Sequence, residues 1–387
     1  MTSSFYRITF IASFALLIAC SQSTTDPNYQ ASKSLPSYSQ DNFQQYIDET
    51  KLWLSQHRVF KTDDIEKELQ ANIPFELIPE NPNGDAVLLV HGLGDSPYSF
   101  IDVARHLVSQ GYLVRTLLLP GHGSKVGDLM LSTLEDWQNV VSHHIALLKP
   151  QSNKLWLGGY STGANLVTSE ALNDDDIEGL LLFSPAFKPG KTAVKWARAA
   201  SYVMTWADQD PETNYIRYNS LPMNGAAVYY DTAKIVQNDL EDTTYNKPVF
   251  MMISEGDSII DTKFPTSVFQ KKFTNQNNQL IWQGELDLSI SKTTIFSMDR
   301  PDLGIVNGSH MGLMFSPNNI EYGTEAAIII CNNGQTKEQE NACEQGDDIW
   351  FSSYGMIEEG KIFARLTYNP YFEQSMEKLD TVMKNER

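Results

Sequence analysis

The chain has 387 residues, 41% of them hydrophobic, and 29 Lys and Arg stand against 48 Asp and Glu for a formal net charge of −19. That balance excludes nucleic acid and anionic membrane surfaces as ligands, because both would be repelled. Length and apolar content suit a single α/β domain carrying insertions.

Residues 1–20 read as a targeting segment. Arg7 supplies a basic start, and the apolar run over residues 8–19 is short of the ~20 residues that span a bilayer. Leu17-Ile18-Ala19-Cys20 resembles a bacterial lipobox, which implies acylation of Cys20 and attachment to the membrane by that lipid anchor only. Ser21 in place of an aspartate implies an exported outer-membrane lipoprotein facing the periplasm or the exterior. Residues 21–40 are rich in Ser, Thr, Gln, Asn and Pro. They bury too little apolar area to offset ordering entropy, which predicts a flexible tether. The globular domain is expected over 41–387.

Phe43, Tyr46, Ile47, Trp53 and Leu54 recur at helical spacing and predict an amphipathic helix. Ala86–Val90 is a predicted strand running into His91-Gly92-Leu93-Gly94-Asp95, where His91 is read as a brace for the loop. A helix follows over 99–109, then a strand over 112–119 and a helix over 134–148. His143 and His144 lie in that helix, about 100° apart around its axis, and are poor joint metal ligands. They are read as surface or packing residues.

Leu155–Gly159 is the next strand. It enters Gly159-Tyr160-Ser161-Thr162-Gly163 and a helix over 161–172. A Gly-x-Ser-x-Gly turn between strand and helix reads as a nucleophile elbow, with Ser161 lifted above the strand end and no side chain on the two glycines to obstruct the turn. A serine hydroxyl needs a base, an orienting acid and an oxyanion site. His310 is the one histidine after Ser161. After the predicted strands 180–183 and 249–253, the loop Glu255-Gly256-Asp257 to Asp261 offers the acid. Asp257 is the first choice, and Asp261 and Glu255 are the alternatives. The oxyanion donors are expected to be the backbone N–H groups of Thr162 and Leu93.

Cys331 and Cys343 bracket a polar loop with a turn-forming Asn-Gly. In an exported protein this pair reads as a disulfide, since zinc would need further histidines or cysteines nearby. No metal, nucleotide or other cofactor is expected, and no phosphate-cradling loop is found.

Leu89-Val90-His91-Gly92, Leu118 to Gly123, Gly159 to Gly163, Gly256-Asp257 and Ser309-His310 occur in the order found in the α/β-hydrolase superfamily. The chain resembles its serine-aminopeptidase, monoacylglycerol-lipase and carboxylesterase-like branch. The resemblance implies an α/β-hydrolase fold, with a mostly parallel central sheet, helices on both faces and a helical cap insertion. It gives Ser161, Asp257 and His310 the triad roles, and Leu93 and Thr162 the oxyanion roles. The cap is expected at about 185–247, its aromatic residues lining an acyl pocket or forming the cap's own core. The tail of about 313–387, with the two cysteines, departs from simpler members.

The expected function is a serine hydrolase working through an acyl-enzyme. Its expected substrate is a small-molecule acyl ester with an apolar acyl group, as for a carboxylesterase or lipase. The alternatives are a serine aminopeptidase, for which Asp208, Asp210 or Glu212 could meet an amino terminus, and a non-catalytic binding lipoprotein that retains the fold.

Overall fold

The computed structural model describes residues 26–346 and 348–384; the targeting segment and Cys20 lie outside the described residues. Twelve strands are present among them: β1 (Glu76–Leu77), β2 (Ala86–Val90), β3 (Leu113–Leu117), β4 (Leu155–Tyr160), β5 (Ile177–Phe183), β6 (Trp206–Asp208), β7 (Leu221–Pro222), β8 (Val249–Ser254), β9 (Gln279–Gln283), β10 (Thr293–Phe296), β11 (Ile349–Ser352) and β12 (Ile362–Arg365). The α-helices are α1 (Phe43–His57), α2 (Ile65–Asn72), α3 (Ile101–Ser109), α4 (Leu134–Leu148), α5 (Thr162–Asn173), α6 (Ala197–Ala200), α7 (Met223–Asp242), α8 (Lys263–Lys272), α9 (Lys337–Glu344) and α10 (Phe372–Lys384).

Eight strands form the central sheet in the order β1-β3-β2-β4-β5-β8-β9-β10. All neighbours are parallel except the edge pair β1 and β3. The strands are apolar on both faces because helices cover both. In β2, Ala86, Leu88 and Val90 join one core with Trp137 of α4, Val167 of α5 and Val236 of α7. Val87 and Leu89 join the other, with Val103 and Leu107 of α3 and Met376 and Leu379 of α10. This is the α/β-hydrolase fold that the motif order implied. β9, β10, α2, α8 and α10 are additions to the elements read from sequence.

Two expectations are corrected. Residues 26–40, read as part of a flexible tether, lie along the body. Tyr29 donates to the Asp210 carbonyl at 2.8 Å and packs edge-on against Trp206. The backbone N–H of Ser32 donates to Asp128 at 2.6 Å. Polar partners and two tyrosines, rather than aliphatic burial, hold this strap. The second half of the expected cap is α7, and its Val228, Val236 and Leu240 pack in the sheet core. Asn165 of α5 also donates to Thr232 of α7. The segment that overhangs the sheet therefore ends near Pro222. In the tail, α10 covers one face of the sheet. The cysteines do pair, in a disulfide that ties α9 beside the two-stranded sheet of β11 and β12.

Candidate active site

Ser161 sits between β4 and α5 with φ of 53°, a left-handed conformation that costs a non-glycine residue energy and persists only where its surroundings impose it. They do so through three backbone hydrogen bonds. Ser161 N donates to the Phe183 carbonyl at 2.9 Å, and its own carbonyl accepts from Ala164 and Ala186 N–H. The turn leaves no room at Gly163, where a Cβ would lie 2.0 Å from the Val90 carbonyl oxygen.

His310 joins Ser161 to Asp257. Its Nδ1 lies 2.6 Å from Asp257 Oδ2, and its Nε2 lies 2.9 Å from Ser161 Oγ. An ionised carboxylate accepts only, so Nδ1 carries the proton and Nε2 is free to accept from the serine hydroxyl. The Asp257 side chain is fully buried. Its other oxygen accepts from the N–H groups of Ile259 and Ile260. The acid loop and histidine loop touch through backbone, where a Cβ on Gly256 would lie 2.4 Å from the Gly308 oxygen.

The alternative acids are engaged elsewhere. Glu255 accepts from the N–H groups of Glu285 and Leu286. Asp261 pairs with Lys188 at 2.7 Å, and this lysine holds its carboxyl below the usual range although partial burial opposes the shift. The structure thus brings Ser161, Asp257 and His310 together and leaves Asp261 and Glu255 outside.

The N–H groups of Leu93 and Thr162 have no acceptor among the described residues. The loop carrying Leu93 is braced by two histidines. His91 Nε2 accepts from Leu119 N–H at 3.0 Å, leaving Nδ1–H to donate to the Gly92 carbonyl. His122 Nε2 accepts from Gly94 N–H at 2.9 Å, and its Nδ1 faces the Leu119 carbonyl. Burial lowers the first imidazole to about 4 and the second well below its ordinary value, so both are neutral at pH 7 and keep the acceptor nitrogen that the loop needs. His91 is a brace, as expected. The role of His122 was not read from the sequence, although its place in Pro120-Gly121-His122-Gly123 could have suggested a turn residue.

Other contributors carried no local sequence signal. Ser184, at the end of β5 with φ of 42°, donates to the His310 carbonyl at 3.0 Å. Ser309 donates to the Leu366 carbonyl at 2.5 Å, and Ser258 donates to the Tyr354 carbonyl at 2.8 Å. Residues after His310 thus support both loops. Tyr160 places its ring 5.1 Å from the His310 ring. On one flank Ala186, Tyr229 and Ile260 pack together with Leu93 and Val194. Asp95, two residues after Leu93, is buried, and burial raises its carboxyl to about 6.

Residues 81–219 match the family Hydrolase_4, described as serine aminopeptidase, S33. That region contains Leu93, Ser161 and Thr162 and stops short of Asp257 and His310. A thermostable monoacylglycerol lipase of Bacillus sp. (strain H-257) is 32% identical over 100 residues, which are 26% of this chain and 40% of that lipase. The aligned part therefore spans less than half of that relative. Among solved structures, the monoacylglycerol lipase of Paleococcus ferrophilus is 18% identical with a TM-score of 0.45, covering 58% of this chain and 91% of that one. Est1E from Butyrivibrio proteoclasticus with ferulic acid is 20% identical with a TM-score of 0.43, covering 54% and 84%. Over residues 81–219, the segment that carries the Ser161 turn and the Leu93 loop is similar to serine aminopeptidases of the S33 family.

Proposed function

We propose that the protein is a serine hydrolase that cleaves carboxylic esters through an acyl-enzyme. The observation that carries this reading is His310, hydrogen-bonded at once to Ser161 Oγ and to buried Asp257. His310 Nε2 takes the hydroxyl proton as Ser161 Oγ bonds to the acyl carbon. The carbonyl oxygen becomes an oxyanion facing the N–H groups of Leu93 and Thr162, and Asp257 favours the imidazolium. His310 then gives its proton to the departing alkoxide. Water repeats the sequence on the acyl-enzyme and releases the acid.

An apolar acyl group suits the flank of Leu93, Val194, Tyr229 and Ile260. The aminopeptidase reading has the description of the matching family in its favour. Against it, Glu212 accepts from the N–H groups of Asn219 and Ser220, and Asp210 accepts from Asn332, so two of the acids that could meet an amino terminus are already engaged. Export as a lipoprotein acylated at Cys20 belongs to the same proposal, and a disulfide accords with an oxidising compartment.

Labelling with a fluorophosphonate probe tests the chemistry. Wild type should label and hydrolyse short p-nitrophenyl esters, and Ser161→Ala should do neither while keeping its thermal transition. Labelling that persists in Ser161→Ala would overturn the assignment. Hydrolysis of aminoacyl amides above esters would favour the peptidase.

A further inference from the structure

Exposed large apolar side chains are scattered singly over most of this protein, but four of them crowd into one short stretch of the overhanging segment. Trp196, Tyr202, Val203 and Met204 are 53–83% exposed. Backbone hydrogen bonds from Ser201 to Ala197 and from Val203 and Met204 to Ala200 fold this stretch into compact turns. The four therefore make a patch, and a patch of this kind marks an interaction surface.

The other side of the segment is pinned to the body. At its root Pro189 bridges Ile260 in the acid loop, and Lys188 pairs with Asp261. Val194 packs on the flank of the candidate site beside Leu93, and Ala197 packs on Ala226 and Ala227 of α7. Arg198 pairs with Asp231 of the same helix. The segment thus has an inner face that is occupied and an outer face that is bare and apolar.

Its charge is opposite in sign to that of the whole chain. Residues 185–207 hold Lys188, Lys191, Lys195 and Arg198 and no acid, within a chain of net charge −19. Lys191 and Lys195 are exposed and form no ion pair among the described residues. Lys195 lies over the Trp196 ring at 5.4 Å, at the edge of the apolar patch.

The N-terminal strap leads to the same place. Tyr29 packs against Trp206, and its N–H donates to the Asp26 carbonyl at 3.2 Å. Six steps along the chain separate Asp26 from Cys20, about 20 Å at full extension. With Cys20 acylated, as proposed above, the strap begins within that reach of a bilayer and runs onto the overhang. Only that distance depends on acylation of Cys20.

We propose that the outer face of residues 191–204 is a membrane-docking surface, seated in the headgroup region of an anionic lipid bilayer. Trp and Tyr favour that depth, and lysines near an anionic surface add attraction. Total charge argued against such a surface, but charges more than about 8 Å away are screened at physiological salt, so the local patch decides. A second copy suits the patch less well, because a two-fold contact would bring the lysines of one patch against those of the other. A lipid tether alone leaves the body free to rotate. Docking holds the flank of Val194 and Leu93 towards the surface.

The test uses the full chain carrying Cys20→Ser, so that acylation contributes nothing, with an environment-sensitive fluorophore on Val203→Cys. Cys331 and Cys343 are paired, so the label goes to position 203 alone. A control label on Ile78→Cys occupies a site 71% exposed. It lies past β1, at the end of the sheet away from Ser161. On vesicles of phosphatidylethanolamine and phosphatidylglycerol, the label at 203 should shift to the blue and be quenched by spin-labelled lipid. The label at 78 should stay as in water. Trp196→Ser and Tyr202→Ser should each weaken the partition read at 203 about tenfold, the scale of withdrawing one large apolar side chain from an apolar phase. Lys191→Glu combined with Lys195→Glu should weaken it on these vesicles and leave it little changed on phosphatidylcholine. Thermal transitions should stay near wild type throughout, since the replaced side chains are exposed. A label at 203 that stays water-like would overturn the proposal, whether or not the protein sediments with the vesicles. Equal responses at 78 and 203 would show adsorption without a docking face and overturn it too. A blue shift that needs no lipid and grows with protein concentration would give the patch to a second copy instead. None of these readouts requires turnover, so failure of the hydrolase reading would leave them standing.

Discussion

Asp257 and Asp261 are four positions apart, and the difference between them is which group each faces. Asp257 has one oxygen on His310 and the other on two backbone N–H groups, whereas Asp261 is tied to Lys188. Asp257→Asn presents an amide N–H or O where an acceptor is required and upsets the imidazole tautomer. Turnover should fall by as much as about 10⁴-fold, with Asp261→Asn and Glu255→Gln within a few-fold of wild type in the same ester assay. Comparable small losses in all three would point to an acid outside this loop.

Burial also sets the acid response. The His91 imidazole is lowered to about 4, so between that value and its unfolded value near 6.5 the unfolded chain binds the extra proton. Its contribution is therefore present above about 6.5 and lost as pH falls towards 4. Asp95 acts in the opposite sense. Its carboxyl is raised to about 6, so it costs stability at neutral pH and that cost fades as pH falls from 6 towards 3.8. Asp95→Asn should raise the urea midpoint at pH 7 and steepen its decline between pH 6 and 4. A variant whose midpoint runs parallel to wild type over that window would show that Asp95 titrates as an exposed acid does.

At the scale of elements, the strands nearest the site were legible because each is a short apolar run ended by glycine or a polar turn. β2, β4, β5 and β8 were all readable on that ground, and the Ser161 turn followed from its place between β4 and α5. α7 was legible as a helix but not in its place. Helical periodicity marks a buried stripe without saying whether a sheet or a cap buries it. The strap over 26–40 was missed for a different reason: hydrogen bonds to Asp128 and the Asp210 carbonyl involve partners about 100 and 180 residues away, which composition cannot register. Its anchor can be removed singly. Tyr29→Ala loses the hydrogen bond to Asp210 and the edge contact with Trp206, together worth about 1–2 kcal/mol. Limited proteolysis should then cut faster within residues 185–222, and an unchanged cleavage rate would mean the strap does not hold the overhang.

At the scale of the whole molecule, the geometry of the candidate site and stability draw on different stretches of chain. Ser161, Asp257 and His310 are all in place by residue 310, and the family similarity ends at residue 219, yet the fold is not closed until α10. Phe372, Met376, Leu379, Val382 and Met383 are each at most 4% exposed and share a core with Val87 and Leu89 of β2. Burying such a side chain stabilises by about 1.5–3 kcal/mol, so α10 contributes on the order of 10 kcal/mol before its own ordering entropy is subtracted. Whole domains retain only about 5–15 kcal/mol. A chain ending at Asn369 should therefore be insoluble or molten although it keeps Ser161, Asp257 and His310. Leu379→Ala alone should cost about 2–5 kcal/mol and leave KM for a short neutral ester near wild type, because α10 lies across the sheet from the helices behind Ser161. The disulfide segment should behave differently. Replacing Cys331 and Cys343 by serine opens a loop of sequence separation 12 and should cost about 3 kcal/mol, while loosening the end of β12 and the Leu366 carbonyl that accepts from Ser309 beside His310. Its signature would be a fall in kcat for a short neutral ester at temperatures below unfolding, a change that Leu379→Ala should not produce. If both variants lost stability and left kcat untouched, the C-terminal residues would serve closure of the fold alone.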